Sequence, residues 1–148
     1  MSQKPYIGYV DLRVFAHATE DAEKILTALH NLLPSDLAET MQLEKNSLTG
    51  HHGNSITLFT THITDKSLLP TVLEKIGKNI NALDKNNLND NLSLHIEKTH
   101  LYLRFDKQAA FLGKIKFTQD DPIHFKFHFK NKKQEEIIEI LQKSGVLP

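Results

Sequence analysis

The chain predicts an α+β domain: one mostly antiparallel sheet, element order β-α-β-α-β-β-β-α, with helices packed on one face. Three observations carry this reading. Ile123-His124-Phe125-Lys126-Phe127-His128-Phe129-Lys130 alternates without a break, so one face of a strand is apolar and the other basic. Residues 6–17 alternate in the same way, after which the hydrophobic period changes from two residues to a helical spacing. The last three strand-like segments are separated by connections too short for helical crossovers, which favours a meander.

Taken in order, residues 6–17 place Val10, Leu12, Val14 and Ala16 on one face of a strand and Tyr9, Asp11, Arg13, Phe15 and His17 on the other. Thr19 can cap a following helix whose first turn holds Glu20, Asp21 and Glu23, the charge that suits the positive end of its dipole. Ile25, Leu26, Leu29, Leu32 and Leu33 form its apolar face, and Pro34 stops it. Residues 34–54 read as irregular, with a short helical turn over 36–41 and two glycines near the end. A strand over 55–64 precedes an amphipathic helix over 65–81, with Pro70 tolerated in its first turn. The Asn/Asp-rich segment 81–91 reads as a loop leading into a short helix. Strands follow at 100–105, 113–117 and 122–130. Asn131 then opens a last helix with Gln134 in the reciprocal capping position and Gly145 at its end.

At 148 residues the chain reads as a single domain, 1–148, large enough to bury a core without staples. Cysteine is absent, which excludes disulfides, zinc–thiolate sites and thiol nucleophiles. No apolar run approaches the ~20 residues that cross a bilayer, and the first five residues lack the apolar stretch of a signal peptide. A cytoplasmic protein is the expectation. The nine histidines invite a metal hypothesis that their spacing opposes: His124 and His128 are four apart on a strand, roughly 13 Å, and His51 and His52, as chain neighbours, tend to point apart. No nucleophile motif or phosphate loop occurs, so neither catalysis nor a cofactor is expected.

Net charge is zero, 18 basic against 18 acidic side chains, but the distribution is uneven. Residues 19–44 hold six acidic side chains and one basic; residues 104–130 hold six basic and three acidic. With helices on one side of the sheet, the other side places Arg104, Lys114, Lys116, Lys126 and Lys130 beside Tyr102, His124 and His128, and Arg13 extends the track. Cations interleaved with flat rings suit RNA: the former neutralise phosphate, the latter stack on unpaired bases. The competing reading is a solvated face whose lysines guard against edge pairing.

Three stretches in order resemble a known family: His17-Ala18-Thr19-Glu20-Asp21, then Gly50-His51-His52-Gly53-Asn54, then Leu101-Tyr102-Leu103-Arg104-Phe105-Asp106-Lys107-Gln108 with Ala109-Ala110-Phe111-Leu112-Gly113. Together they resemble the archaeal family of predicted RNA-binding proteins linked to the exosome, over nearly the whole chain. Ser55 stands where that family commonly has Pro. The resemblance implies a sheet-and-helix layer like ribosomal protein L-five and a role in RNA processing or ribosome formation, without catalysis. It also implicates His17, His51, Gly53, Asn54, Arg104, Lys107 and Gln108 in RNA contact. Structural roles compete for the same residues, with His17 and Asn54 bonding backbone and Lys107-Gln108 closing a turn. The expectation is a non-catalytic binder of structured ribosomal or precursor RNA, using Arg13, His17, His51, Asn54, Arg104, Lys107, Gln108, Lys114, Lys116 and Lys126. The rival is an adaptor that docks on an RNA-processing assembly, such as the exosome, without touching RNA.

Overall fold

Ile7–His17 form β1, and the alternation that predicts it is the alternation that buries it: Ile7, Val10, Leu12, Val14 and Ala16 face the core, while Asp11, Arg13 and His17 do not. The computed structural model describes residues 6–50 and 53–148. β1 pairs antiparallel with β3 (Ser55–Ile63) on one side and β6 (Ile123–Phe129) on the other. Outward from these lie β2 (Glu44–Thr49) beside β3, and β5 (His100–Phe105) then β4 (Ile96–Glu97) beside β6. The sheet has six strands in the order β2-β3-β1-β6-β5-β4, antiparallel throughout.

One apolar face meets helices α1 (Ala22–Leu32), α3 (Leu69–Asn79), α4 (Ala82–Asp90) and α6 (Gln134–Ser144) in a single core. Phe105, Phe125, Phe127 and Phe129 are its largest buried side chains. Rings of Phe105 and Phe125 meet edge to face at 4.9 Å, an arrangement that adds to plain area burial. Truncating Phe127 to Ala is expected to cost about 3 kcal/mol or more, read as a lower midpoint in urea unfolding.

Four expectations are corrected. Residues 44–49 are not irregular but form β2; all six are exposed, so backbone pairing with β3 holds an edge strand that shows no apolar alternation. Residues 81–91 are not a loop: Asn81 accepts a hydrogen bond from the Asp84 amide at 2.8 Å and starts α4, which Leu88 anchors to the core. Residues 113–117 do not make a sheet strand. Asp106 caps a short helix α5 (Lys107–Phe111) instead, and the chain returns along the end of β5 with only single bridges, Phe117 to Phe105 and Ile115 to Ile80. Helix caps also shift: Asp21, not Thr19, caps α1, and the reciprocal bond at α6 runs from the Lys133 amide to Glu136, not between Asn131 and Gln134. Asn131 sits at φ 54° in the preceding turn. The short α2 (Ser35–Thr40) lies where a helical turn was expected.

Candidate nucleic-acid interface

The face of the sheet turned away from the core carries three cross-strand rows set by register. Tyr9 lies opposite His128, and His128 opposite His100. In the next row His62 is opposite Asp11, Asp11 opposite Lys126, and Lys126 opposite Tyr102. The third row runs Thr60, Arg13, His124, Arg104. Strands spaced about 4.8 Å apart thus bring together three cations that are distant in sequence.

None of Arg13, Arg104 and Lys126 has an ion-pair partner among the described residues. The acid in their midst, Asp11, is held in a direct hydrogen bond by His62 Nδ1. His124, between the two arginines, is half-buried; that burial, then Arg13, Arg104 and Lys126, push its pKa down to about 4. His100 is lowered for the same reasons, burial first, then Lys126 and His128, partly countered by Glu97. His124 and His100 are thereby kept from adding charge of their own to the fixed positive groups around them.

Rings fill the remainder. His128 stacks on Tyr9 at 4.8 Å, His62 and His100 follow at 4.9 Å from Tyr9 and His128, and Tyr102 lies 5.8 Å from His124. Gly8, at the register shift of β1, makes room here: a Cβ would lie 2.9 Å from the His128 ring. Two recesses, about 630 Å³ and 440 Å³, open onto the face and share Arg13, Tyr102 and His124 as a common floor. The larger is walled by Gln42 and Glu44 before and on β2; the smaller by Leu94 and Glu97 near β4.

Of the residues the sequence singled out, Arg13, Arg104 and Lys126 come together. Lys114 and Lys116 do not join them: exposed, they belong to the return segment after α5, where Lys116 O accepts from the Asp106 amide at 2.8 Å. Lys107 is committed elsewhere. Its ammonium, in a side chain only 13% exposed, donates to Phe15 O at 2.6 Å, Glu20 Oε1 at 3.1 Å and Asp121 Oδ2 at 2.8 Å. His17 joins that network through Asp121, at 3.1 Å. Ligand atoms of His17, Glu20 and Asp121 lie within 4.8 Å of one another, a spacing that suits a metal, but the Lys107 ammonium already answers the charge of both carboxylates. Gln108 is exposed on α5, beside Glu20 and Lys24 and away from the sheet face. Asn54 is exposed where its carbonyl closes the β2–β3 hairpin on the Gly50 amide at 2.8 Å; His51 lies outside the described residues.

Sequence reasoning missed His62, His100 and the walls formed by Glu44, Leu94 and Glu97. His62 could have been found, since it falls on the outward phase of 55–63 opposite Phe59, Thr61 and Ile63. The walls could not, because they depend on strands with no pattern of their own.

A family model described as RNA binding matches residues 9–129, which includes all the residues of the three rows and every strand of the sheet but for the first two residues of β1. RNA-binding protein PAB1135 of Pyrococcus abyssi is 31% identical over 133 residues, 88% of this chain and 86% of that protein. The uncharacterized protein MJ0213 of Methanocaldococcus jannaschii is 33% identical over 147 residues, 91% and 95% of the respective chains. The crystal structure of AF2318 from Archaeglobus fulgidus has the same fold, with a TM-score of 0.75 at 25% identity, covering 93% of this chain and 99% of that one. With that match over most of its length, the chain belongs to the RNA-binding family.

Proposed function

We propose that this domain binds structured ribosomal or precursor RNA on the open face of its sheet, performs no chemistry on it, and acts in the cytoplasm in exosome-linked RNA processing or ribosome formation. Its sheet-and-helix layer would place it beside ribosomal protein L-five. The observation that carries the binding reading is the row Arg13–His124–Arg104, two guanidinium groups with no ion-pair partner among the described residues, flanking a ring on adjacent strands. A phosphate seated there meets planar, forked donors of the kind that recognise it bidentately. Support for RNA as the polyanion comes from the family and from a relative named as an RNA-binding protein.

Titrating a labelled RNA at several salt concentrations tests this. Each phosphate neutralised contributes a log–log slope of about 0.7 for single strands or 0.9 for duplex. The double variant Arg13→Ala/Arg104→Ala should lower the slope by roughly 1.4 to 1.8 and the affinity about tenfold at moderate salt. Lys114→Ala/Lys116→Ala should leave both nearly unchanged. Binding that ignores salt, or that depends on Lys114 and Lys116 rather than the arginines, would favour the adaptor reading instead.

Affinity should also depend on pH. With no ligand, burial and three cations keep His124 neutral until about pH 4; a phosphate over the arginines offsets their repulsion, so the bound state holds a proton that the free state does not. Binding then takes up a proton and tightens as pH falls, by less than the roughly tenfold from pH 7.5 to 5.5 that a full return to an ordinary imidazole pKa would give, because burial, the largest cause of the shift, persists in the complex. His124→Gln should flatten this profile, as read by anisotropy across that range.

A further inference from the structure

Glu97 is out of place on a surface built for a polyanion. It stands on β4 opposite His100 and lines the 440 Å³ recess together with Leu94, Ile96, Tyr102 and Arg104. Its carboxylate has no hydrogen bond or ion pair among the described residues. Leu94, 72% exposed, forms the rim of the same recess on a single 3-10 turn, Leu92–Leu94. A phosphate would be repelled by this carboxylate, and an apolar side chain would leave it unpaired.

Resting on the RNA reading above, we propose that this recess takes one unpaired guanine base. The base would lie against the Tyr102 ring and Leu94, its Watson–Crick edge toward Glu97, while its own phosphate lies over Arg13 and Arg104 at the shared floor. The chemistry selects the base. A carboxylate presents two parallel acceptors, and guanine N1–H with the N2 amino group presents two adjacent donors on an edge that pairing would hide. Adenine and cytosine offer one donor beside an acceptor lone pair that faces the carboxylate, and uracil offers one N–H between two carbonyls. Apolar walls serve the flat faces of the base, since a face of any base can stack on a ring.

The walls also favour a single strand over a duplex. Cations confined to three neighbouring strands, roughly 10 Å across, can follow one backbone, whereas duplex readers spread their contacts over successive grooves. A loop or bulge of a structured RNA would supply the unpaired guanosine.

The test uses the full chain and four probes by anisotropy: a uridine octamer with one central guanosine, the same octamer with inosine there, and a hairpin with guanosine or inosine paired in its stem. Inosine lacks only the N2 amino group. The proposal expects the guanosine octamer to bind about tenfold tighter than the inosine one, the size of a good base-specific pair, and Glu97→Ala to bring that ratio to about one without lowering the salt slope. Replacing the stem guanosine by inosine should change nothing. Equal binding of guanosine and inosine octamers, with an arginine-dependent salt slope intact, would overturn the guanine pocket and leave the RNA reading standing. Absence of any arginine-dependent RNA binding would overturn both.

Discussion

Replacing Lys107 with Met lowers the stability of this domain by about 2–3 kcal/mol, although Lys107 touches no core side chain by charge and sits at the start of a five-residue helix. The aliphatic stem survives the change, so packing is nearly conserved. What disappears is an ammonium that holds three separate parts of the chain: the end of β1 through Phe15 O, the β1–α1 turn through Glu20, and the loop before β6 through Asp121. Asp121 adopts φ 47° to present its carboxylate there. The variant leaves a backbone carbonyl and two carboxylates facing one another with His17 alone to serve them. The pH dependence gives an independent check. Burial alone would raise the Asp121 pKa, but hydrogen bonds and charge from Lys107, then His17, outweigh it and hold the carboxyl below its ordinary 3.8. A depressed carboxylate pKa stabilises the fold above the unfolded value and ceases to as pH falls through the folded one. Wild type and Lys107→Met should therefore differ in urea midpoint at pH 7, keep that difference down to about pH 4, and converge only as the pH falls further, through the depressed Asp121 pKa. A constant gap down to acid pH would mean that packing, not charge, accounts for the loss.

Lys107 also shows where sequence reading stops. As a basic residue in a motif shared with RNA binders it looks like a phosphate ligand, and nothing local distinguishes it from Arg104 three residues earlier. The distinction is topological: Arg104 lies on the outward phase of β5, opposite His124, whereas Lys107 lies past the end of the strand, where the chain has turned toward Glu20. Alternation in residues 6–17 and 123–130 made the two central strands, β1 and β6, and their outward residues legible, because one buried face imposes a period of two. It made Arg13, His124 and Lys126 legible with them. Their assembly into rows was not, because register between strands more than 100 residues apart is fixed by the tertiary core and by the bulge at Gly8. β2 and α4 were hidden for a different reason. An exposed edge strand has no face to pattern, and an Asn-rich helix with one buried leucine is held by its cap and its anchor rather than by an apolar stripe.

Gly77→Ala is expected to be at least as damaging as the loss of Lys107, at about 3 kcal/mol, for a substitution that in an exposed helix would stabilise by up to ~1 kcal/mol. Gly77 lies in α3 where that helix touches the end of α6 backbone to backbone. A Cβ there would fall on the Ser144 carbonyl oxygen, 2.8 Å from Gly145 C and 2.9 Å from Gly145 Cα. No side chain can swing aside, because all three obstacles are main chain. Gly145 cannot yield readily either, since it ends α6 at φ 87° and its own missing Cβ faces the Gly77 carbonyl at 3.3 Å. Relief requires α3 and α6 to separate, and both carry core residues, among them Val72, Leu73 and Ile76 on one and Ile137 and Leu141 on the other. Both helices lie behind the sheet, opposite the proposed RNA face. This separation makes a combined measurement informative. A ligand that binds only the native state at 100 times its Kd adds about 2.7 kcal/mol, so RNA should raise the melting midpoint of Gly77→Ala in proportion to that of the wild type. The same RNA should do far less for Arg13→Ala/Arg104→Ala, whose core is intact. If Gly77→Ala abolished the RNA effect while its circular dichroism stayed native, the two faces of the sheet would be coupled, and scaffold and site would not be independent.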